Sequence, residues 1–250
     1  DDNGTLSETQ IQLVKGASVV AYLAAPPKLF PKTDAYKLLE GSINRMGGDS
    51  TGLLTFEITD KSEEIRNKTI VVDGKPLCFG YCRNVTPFLT NPGLLEYHVH
   101  DGAIDAVLAV YDQGVLLTPT TQYTVDLSTG KITLVSSPVG VVTADVRGAK
   151  PSTWLSTTQE IASEILSRAG VSLTETYDSI PTGTIGLYIE QTTDLGTLLN
   201  RLFSGCAAYW LIDENAEFYA AQYPLPGENV PIADFDAKTQ LSEVTYESEE

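Results

Sequence analysis

The feature that most constrains this chain is a series of short apolar runs separated by glycine-containing turns. Between residues 69 and 146, turn signals such as Asp-Gly, Asn-Pro-Gly and Ser-Thr-Gly follow one another at short intervals. Runs of this kind predict antiparallel strands that pack as a sandwich or a small barrel. The predicted strands cover residues 69–72, 77–81, 95–100, 107–111, 123–127, 131–135 and 141–146.

The pattern changes to helical spacing after residue 150. A helix is predicted at 152–170 with Gly170 as its end, and a second at 195–203, capped by Thr193 or Asp194 and by Gly205. A strand at 185–190 separates the two helices. A hairpin of residues 207–212 and 217–221 follows them. The apolar side chains that would share one face of the first helix are Trp154, Leu155, Ile161, Ile165 and Leu166.

The first 68 residues carry weaker signals. Residues 17–25 and 52–58 are predicted as strands, residues 28–50 as a loop with one short helical turn, and residues 60–68 as a charged, solvated connection. The predicted fold class is therefore α+β and mostly antiparallel β, with a β-barrel-like or sandwich-like module followed by a smaller α+β module. The predicted domains are 1–60, 61–148, 151–225 and an acidic C-terminal segment at 226–250.

The charge of the chain excludes several classes of partner. Acidic residues outnumber basic residues 33 to 16, which gives a formal net charge of −17 at pH 7. We expect no stable binding to nucleic acid or anionic lipid, because both are polyanions. No apolar run reaches the roughly 18 residues of a membrane span. Residues 211–250 hold ten acids against one base, Lys238, and we expect the chain to continue beyond this acidic segment.

The pattern closest to a metal site joins two cysteines and two histidines. His98 and His100 share one face of a predicted strand, and Cys78 and Cys82 also share parity. Thiolate and imidazole are ligands that zinc prefers, and four of them close a structural site. The alternative is that the cysteines are small buried hydrophobes and the histidines lie on an exposed face. The alternative is favoured, so no metal or other cofactor is assigned.

Catalytic patterns are weak throughout the sequence. His98 or His100 could pair with Asp101 or Asp105, but no G-x-S-x-G turn accompanies them. The sequence contains neither G-x-G-x-x-G nor a phosphate-binding loop with its lysine. We therefore predict a protein that is not an enzyme.

Two further groups of residues leave alternatives open. Glu190 and Asp194 near Tyr188 could line a cleft, although helix capping also explains Asp194. Six aromatic residues lie on predicted strands and helices at spacings typical of buried positions. They either fill the core or form a platform on which a sugar stacks. These aromatic residues are Trp154, Tyr188, Tyr209, Trp210, Phe218 and Tyr219.

An ordered set of short motifs resembles one family. The motifs are KPLCFG at 75–80, NVTP at 84–87, Y-x-VHDG at 97–102, AVYD-x-G at 109–114, Y-x-VDL-x-TG at 123–130 and VTADVRG at 142–148. In this order they resemble a segment of the tail-tip or baseplate hub proteins of long-tailed bacteriophages and prophages. The likeness covers roughly residues 60–225 and includes GLYIEQTTDLGTLLNRL at 186–202.

The resemblance implies a structural virion protein at the distal end of a phage tail. It implies assembly with copies of itself, commonly as a trimer, and with the distal tail protein, the tape measure and fibres. It carries no catalytic residues. We further expect that acidic residues of 57–64 or 211–250 line a channel and repel the DNA that passes through it. The alternatives are a carbohydrate-binding or receptor-binding module of a virion, and a tail-associated or metal-dependent hydrolase.

Overall fold

A computed structural model describes residues 16–23, 36–48, 54–213 and 215–224. Helices α1 (Lys61–Arg66), α2 (Thr158–Arg168) and α3 (Leu195–Ser204) lie in these ranges. The strands are β1 (Ser18–Leu23), β2 (Tyr36–Gly48), β3 (Leu54–Asp60), β4 (Thr69–Ile70), β5 (Leu77–Val85), β6 (Phe88–Asn91), β7 (Glu96–His98), β8 (Ile104–Asp112), β9 (Val115–Leu116), β10 (Tyr123–Asp126), β11 (Lys131–Leu134), β12 (Val142–Ala149), β13 (Glu175–Asp178), β14 (Gly186–Ile189), β15 (Thr193–Asp194), β16 (Ala208–Ile212) and β17 (Phe218–Gln222).

Two antiparallel sheets form a sandwich in the middle of the chain. The central sheet has the strand order β14-β5-β12-β8-β9, and a four-stranded sheet has the order β10-β11-β7-β6. Apolar side chains of both sheets form one buried cluster, as alternating strands predict. The sandwich-like module is therefore confirmed, and the sheets of the described residues do not close into a barrel. The fully buried members of this cluster include Cys78, Val99, Val110, Ile132, Ala144 and Val146.

A second buried cluster joins the central sheet to the helices. Leu77 and Phe79 of β5 pack with α2, α3 and a three-stranded sheet of order β13-β17-β16. Strand β13 runs parallel to β17, and the other paired strands among the described residues are antiparallel. The α+β character of this part is confirmed. Strand β14, which the sequence assigned to the second module, pairs with β5 and so belongs to the central sheet.

The residues that cap α2 and α3 show which of the predicted helix boundaries are correct. Thr157 and Glu160 form a reciprocal capping box, so α2 begins at Thr158 and the predicted start at 152 is wrong. Gly170, with φ +68°, follows the helix as expected. The Asp194 carboxylate accepts a hydrogen bond from the Thr197 N–H at 2.7 Å and caps α3, and Gly205 ends α3.

The N-terminal prediction is partly wrong. The predicted loop at 28–50 contains the 13-residue strand β2, which pairs with β1 and β3. The predicted strand at 52–58 appears as β3, and β1 covers part of the predicted strand at 17–25, whose residues 24–25 lie outside the described residues. The connection at 60–68 contains α1, which buries Ile65. Four further strands, β6, β9, β13 and β15, were not predicted.

Candidate functional site

The two cysteines of the metal hypothesis lie together in the sandwich core. Cys78 and Cys82 are both on β5, and their side chains are 0% and 6% exposed. The neighbouring Cys82 thiol and burial both raise the pKa of Cys78 well above its usual value. The Cys82 thiol donates to the carbonyl oxygen of Phe79 at 3.3 Å. Both thiols are therefore packed as small buried groups.

The two histidines have other partners. His98 Nδ1 lies 2.8 Å from the Thr90 hydroxyl. His100 Nδ1 accepts a hydrogen bond from the Cys78 N–H at 3.0 Å, and its Nε2 lies 3.2 Å from Asp101 Oδ1. Both rings are buried, so the expected exposed histidine face is wrong.

The His100 ring is held as a neutral imidazole. Because Nδ1 accepts from a backbone N–H, its proton lies on Nε2, which faces Asp101. Burial lowers the pKa of His100 to about 4, Asp101 opposes this shift and Arg168 adds to it. Among the described residues, no three His, Cys, Asp or Glu side chains form a group that could hold a metal ion. The structure thus does not assemble Cys78, Cys82, His98 and His100 into a zinc site.

The acid–base candidates likewise serve as structural links. Asp101 bridges His100 and Arg168, and its Oδ2 lies 2.7 Å from Arg168 Nη1. Asp105 pairs with Arg147 and Lys150, both at 2.8 Å. Glu190 and Tyr188 line a polar cleft of about 400 Å³, whereas Asp194 caps α3. None of these contacts joins a histidine to a serine hydroxyl.

Exposed apolar side chains lie at the end of the β8–β9 hairpin and in the loop before β12. They belong to Val115, Leu116, Val139 and Val141, which are 67%, 62%, 85% and 63% exposed, and we name this end of the sheet the hairpin-end surface. Val115 and Leu116 are consecutive in β9, so they face opposite sides of the sheet. Asp112 accepts hydrogen bonds from the N–H groups of Val139 and Gly140, at 2.7 and 2.8 Å. These bonds hold the loop before β12 against the hairpin. Because β9 is an edge strand, this surface lies where a neighbouring chain could add.

The aromatic residues divide between core and surface. Trp210 and Phe218 are buried and stacked, and Trp154, Tyr188, Tyr209 and Tyr219 are half-buried. A cavity of about 390 Å³ opens where α3 meets β16. We name it the aromatic pocket. It is lined by Asn200, Phe203, Ser204, Ala207, Ala208, Tyr209, Trp210 and Tyr223.

Sequence reasoning missed the non-aromatic side of this pocket and the hairpin-end surface. Asn200 and Ser204 lie on the polar side of an amphipathic helix, where the sequence carries no distinguishing signal. The one available signal for the hairpin-end surface was an apolar pair, Val115-Leu116, directly after the turn at Gly114.

Comparisons with protein-family models, with curated proteins and with solved structures find no match. Within the described part of the chain, no helix has the length and apolar character needed to cross a membrane.

Proposed function

We propose that this chain is a structural component of a phage tail tip or baseplate hub. It assembles with copies of itself and with other tail proteins, and it helps to form the distal tail channel and a platform for host attachment. The observation that carries the proposal is the ordered set of motifs between residues 75 and 148. The contacts among those motifs support it.

Residues of separate motifs touch one another in the sandwich. The N–H of Cys78, in KPLCFG, donates to His100, in Y-x-VHDG. The N–H of Asn84, in NVTP, donates to Asp145 of VTADVRG at 2.8 Å. The Tyr111 hydroxyl, in AVYD-x-G, donates to the same Asp145 at 3.3 Å. These hydrogen bonds join the motifs into one folded unit, so the likeness extends over a continuous part of the structure.

The hairpin-end surface supports the assembly part of the proposal. Isolated apolar residues on a surface are ordinary, but four highly exposed aliphatic side chains at one hairpin end favour a protein contact. The adjoining edge strand offers backbone groups for strand addition. We assign this surface to contacts between copies of the chain or with a neighbouring tail protein.

The negative charge supports a channel that does not retain DNA. Glu57 and Glu63 are exposed on β3 and α1, whereas most of the acidic segment at 211–250 lies outside the described residues. A lumen lined by carboxylates repels the phosphate backbone.

The test is incorporation into purified tails. Val115→Asp places a charge on the hairpin-end surface, and Val71→Asp is the matched control because Val71 is equally exposed, at 65% against 67%, outside that surface. We expect mass spectrometry to detect the chain in wild-type and Val71→Asp particles and much less of it in Val115→Asp particles. Absence of the chain from wild-type tails contradicts the function, and full incorporation of Val115→Asp contradicts the assigned surface.

A carbohydrate-binding or receptor-binding module is the second candidate, and the aromatic pocket is the observation that favours it. The buried Trp210 indole instead favours the hub, because it is not free to stack on a ligand. Among the described residues, no arrangement favours the third alternative, a hydrolase.

A further inference from the structure

The aromatic pocket has two tyrosine rings at its mouth. Tyr209 and Tyr223 lie with ring centroids 5.2 Å apart and planes tilted by 43°. Tyr223 is 57% exposed, and Tyr209 is half-buried. Such rings present a flat apolar face and a hydroxyl together, which suits a ligand that is apolar on its faces and polar at its rim. The volume of about 390 Å³ is in the range of small-molecule sites.

The lining of the pocket also carries an oriented amide. Trp210 Nε1 donates to Asn200 Oδ1 at 2.8 Å. Since an indole N–H can only donate, the amide oxygen must face it, and the two N–H donors of Asn200 face away. No described hydrogen bond engages those donors. Ser204, beside Asn200, donates its hydroxyl hydrogen to the Arg201 carbonyl at 3.2 Å and keeps its acceptor sites free. Donors and acceptors therefore line one side of the pocket.

Among the described residues that line the pocket, none is acidic or basic. The guanidinium carbon of Arg66 lies 4.3 Å from the centroid of the Trp210 ring, so a positive charge lies close to this lining. The neutral polar groups of Asn200 and Ser204 suit the hydroxyl groups of a neutral ligand.

The backbone at the rim is strained. Ala207 has φ +50°, a left-handed conformation that a residue with a Cβ adopts at a cost of about 1 kcal/mol. Its carbonyl oxygen accepts a hydrogen bond from the Tyr223 N–H at 2.9 Å, which fixes the position of Tyr223 opposite α3.

We propose that the aromatic pocket binds an uncharged pyranose sugar. One C–H face of the ring stacks on the exposed Tyr223, which Tyr209 supports, and the hydroxyl groups receive hydrogen bonds from Asn200 and donate to Ser204. The inference does not rest on a place in a phage tail, because the pocket would bind the same sugar in any assembly.

The test uses the full chain and saturation-transfer NMR. The probes are the methyl pyranosides of glucose, galactose, mannose and N-acetylglucosamine. We expect at least one uncharged pyranoside to bind with a dissociation constant on the order of millimolar.

Two variants separate binding from folding. Tyr223→Ala removes the exposed stacking ring and should weaken binding about tenfold. Asn200→Asp keeps an oxygen for the Trp210 indole but removes both donors, so it should weaken binding about fivefold while leaving tryptophan fluorescence unchanged. Tyr81→Ala is the matched control, because Tyr81 lies on β5, outside the aromatic pocket, and it should bind like the unchanged chain.

Two results would overturn the proposal. They are an absence of binding to every uncharged pyranoside, and binding that both Tyr223→Ala and Asn200→Asp leave unchanged.

Discussion

The two faces of the central sheet are stabilised in different ways. The face toward the four-stranded sheet is filled by small and β-branched residues, such as Val99, Ala144 and Val146. The face toward the helices is filled by larger side chains, such as Phe79, Phe203 and Phe218. In the sandwich, small side chains let the backbones of neighbouring strands approach closely. On the helical side, stability depends on large side chains that fill the space between the helices and the sheets.

This difference indicates how the two halves divide the work. The six short motifs between residues 75 and 148 lie on the strands and turns of the sandwich, whereas the stretch 186–202, which shares the likeness, runs from β14 into α3. The aromatic pocket lies in the helical half, where a strained turn and a helix end create a cavity. On this account, one half supplies the assembly scaffold and the other supplies the ligand site. Three measurements test the comparison, in order of decreasing effect.

The largest effect is expected from a cavity on the helical side. Phe218 is fully buried and contacts Trp210, Phe203 and Tyr177, with ring centroids 5.8–6.0 Å apart. Phe218→Ala should lower the free energy of unfolding by about 3–5 kcal/mol, measured by urea denaturation. Leu211→Ala, on the exposed side of the same hairpin, should cost less than about 1 kcal/mol. If both variants lost the same unfolding free energy, the sheet of β13, β17 and β16 would not bury the face that carries Phe218.

The next effect tests close backbone approach in the sandwich. A Cβ on Gly148 would lie 2.2 Å from the Cys78 carbonyl oxygen, so β12 and β5 would have to separate. Gly148→Ala should cost about 3 kcal/mol of unfolding free energy. Gly183→Ala is the control, because a Cβ there meets nothing within 4 Å. A Gly148→Ala protein as stable as Gly183→Ala would contradict the packing of β12 on β5.

The third effect concerns the boundary between the halves. His100 accepts from Cys78 on the sandwich side, and its ring packs edge-on against Phe79, which belongs to the helical cluster, with centroids 5.6 Å apart. Its pKa of about 4 lies below the usual value of 6.5, so the unfolded chain binds the proton more readily between these pH values. Stability attributable to His100 is therefore complete above pH 6.5 and falls by about 2–3 kcal/mol as the pH drops to 4.

His100→Gln isolates this contribution, because glutamine can still accept from the Cys78 N–H but does not titrate. Carboxylates with lowered pKa values, such as Glu96 and Asp126, add acid sensitivity to both proteins alike. Urea denaturation between pH 7 and pH 4 should therefore give a shallower loss of stability for the variant. Parallel curves would contradict a neutral, buried His100.

Local patterns were sufficient for the most regular elements. The hairpin of β10 and β11 alternates apolar and polar residues, and α3 has Leu195, Leu198, Leu199 and Leu202 on one face, so both were predicted closely. Trp154 and Leu155 fit a helical period but precede the Thr157 cap. The period alone could not locate that cap among several serines and threonines.

The remainder depends on tertiary contacts. Strand β2 contains Gly41, Gly47 and Gly48, which disfavour a strand locally, and its pairing with β1 and β3 overrides that preference. The alternation of side chains along a strand correctly predicted that Cys78 and Cys82 lie close together. It could not show that His98 bonds to Thr90 and that His100 bonds to a backbone N–H. The aromatic pocket combines α3, β16 and the residue after β17, which only the fold brings together.

The most direct test of the proposed function is the position of the chain in an imaged phage tail. Cryo-electron microscopy of purified particles should show density for the sandwich in several copies around the tail axis at the distal end. The hairpin-end surface of each copy should lie against a neighbouring chain. Particles that lack this density at the tail tip, or that show every hairpin-end surface open to solvent, would contradict the account.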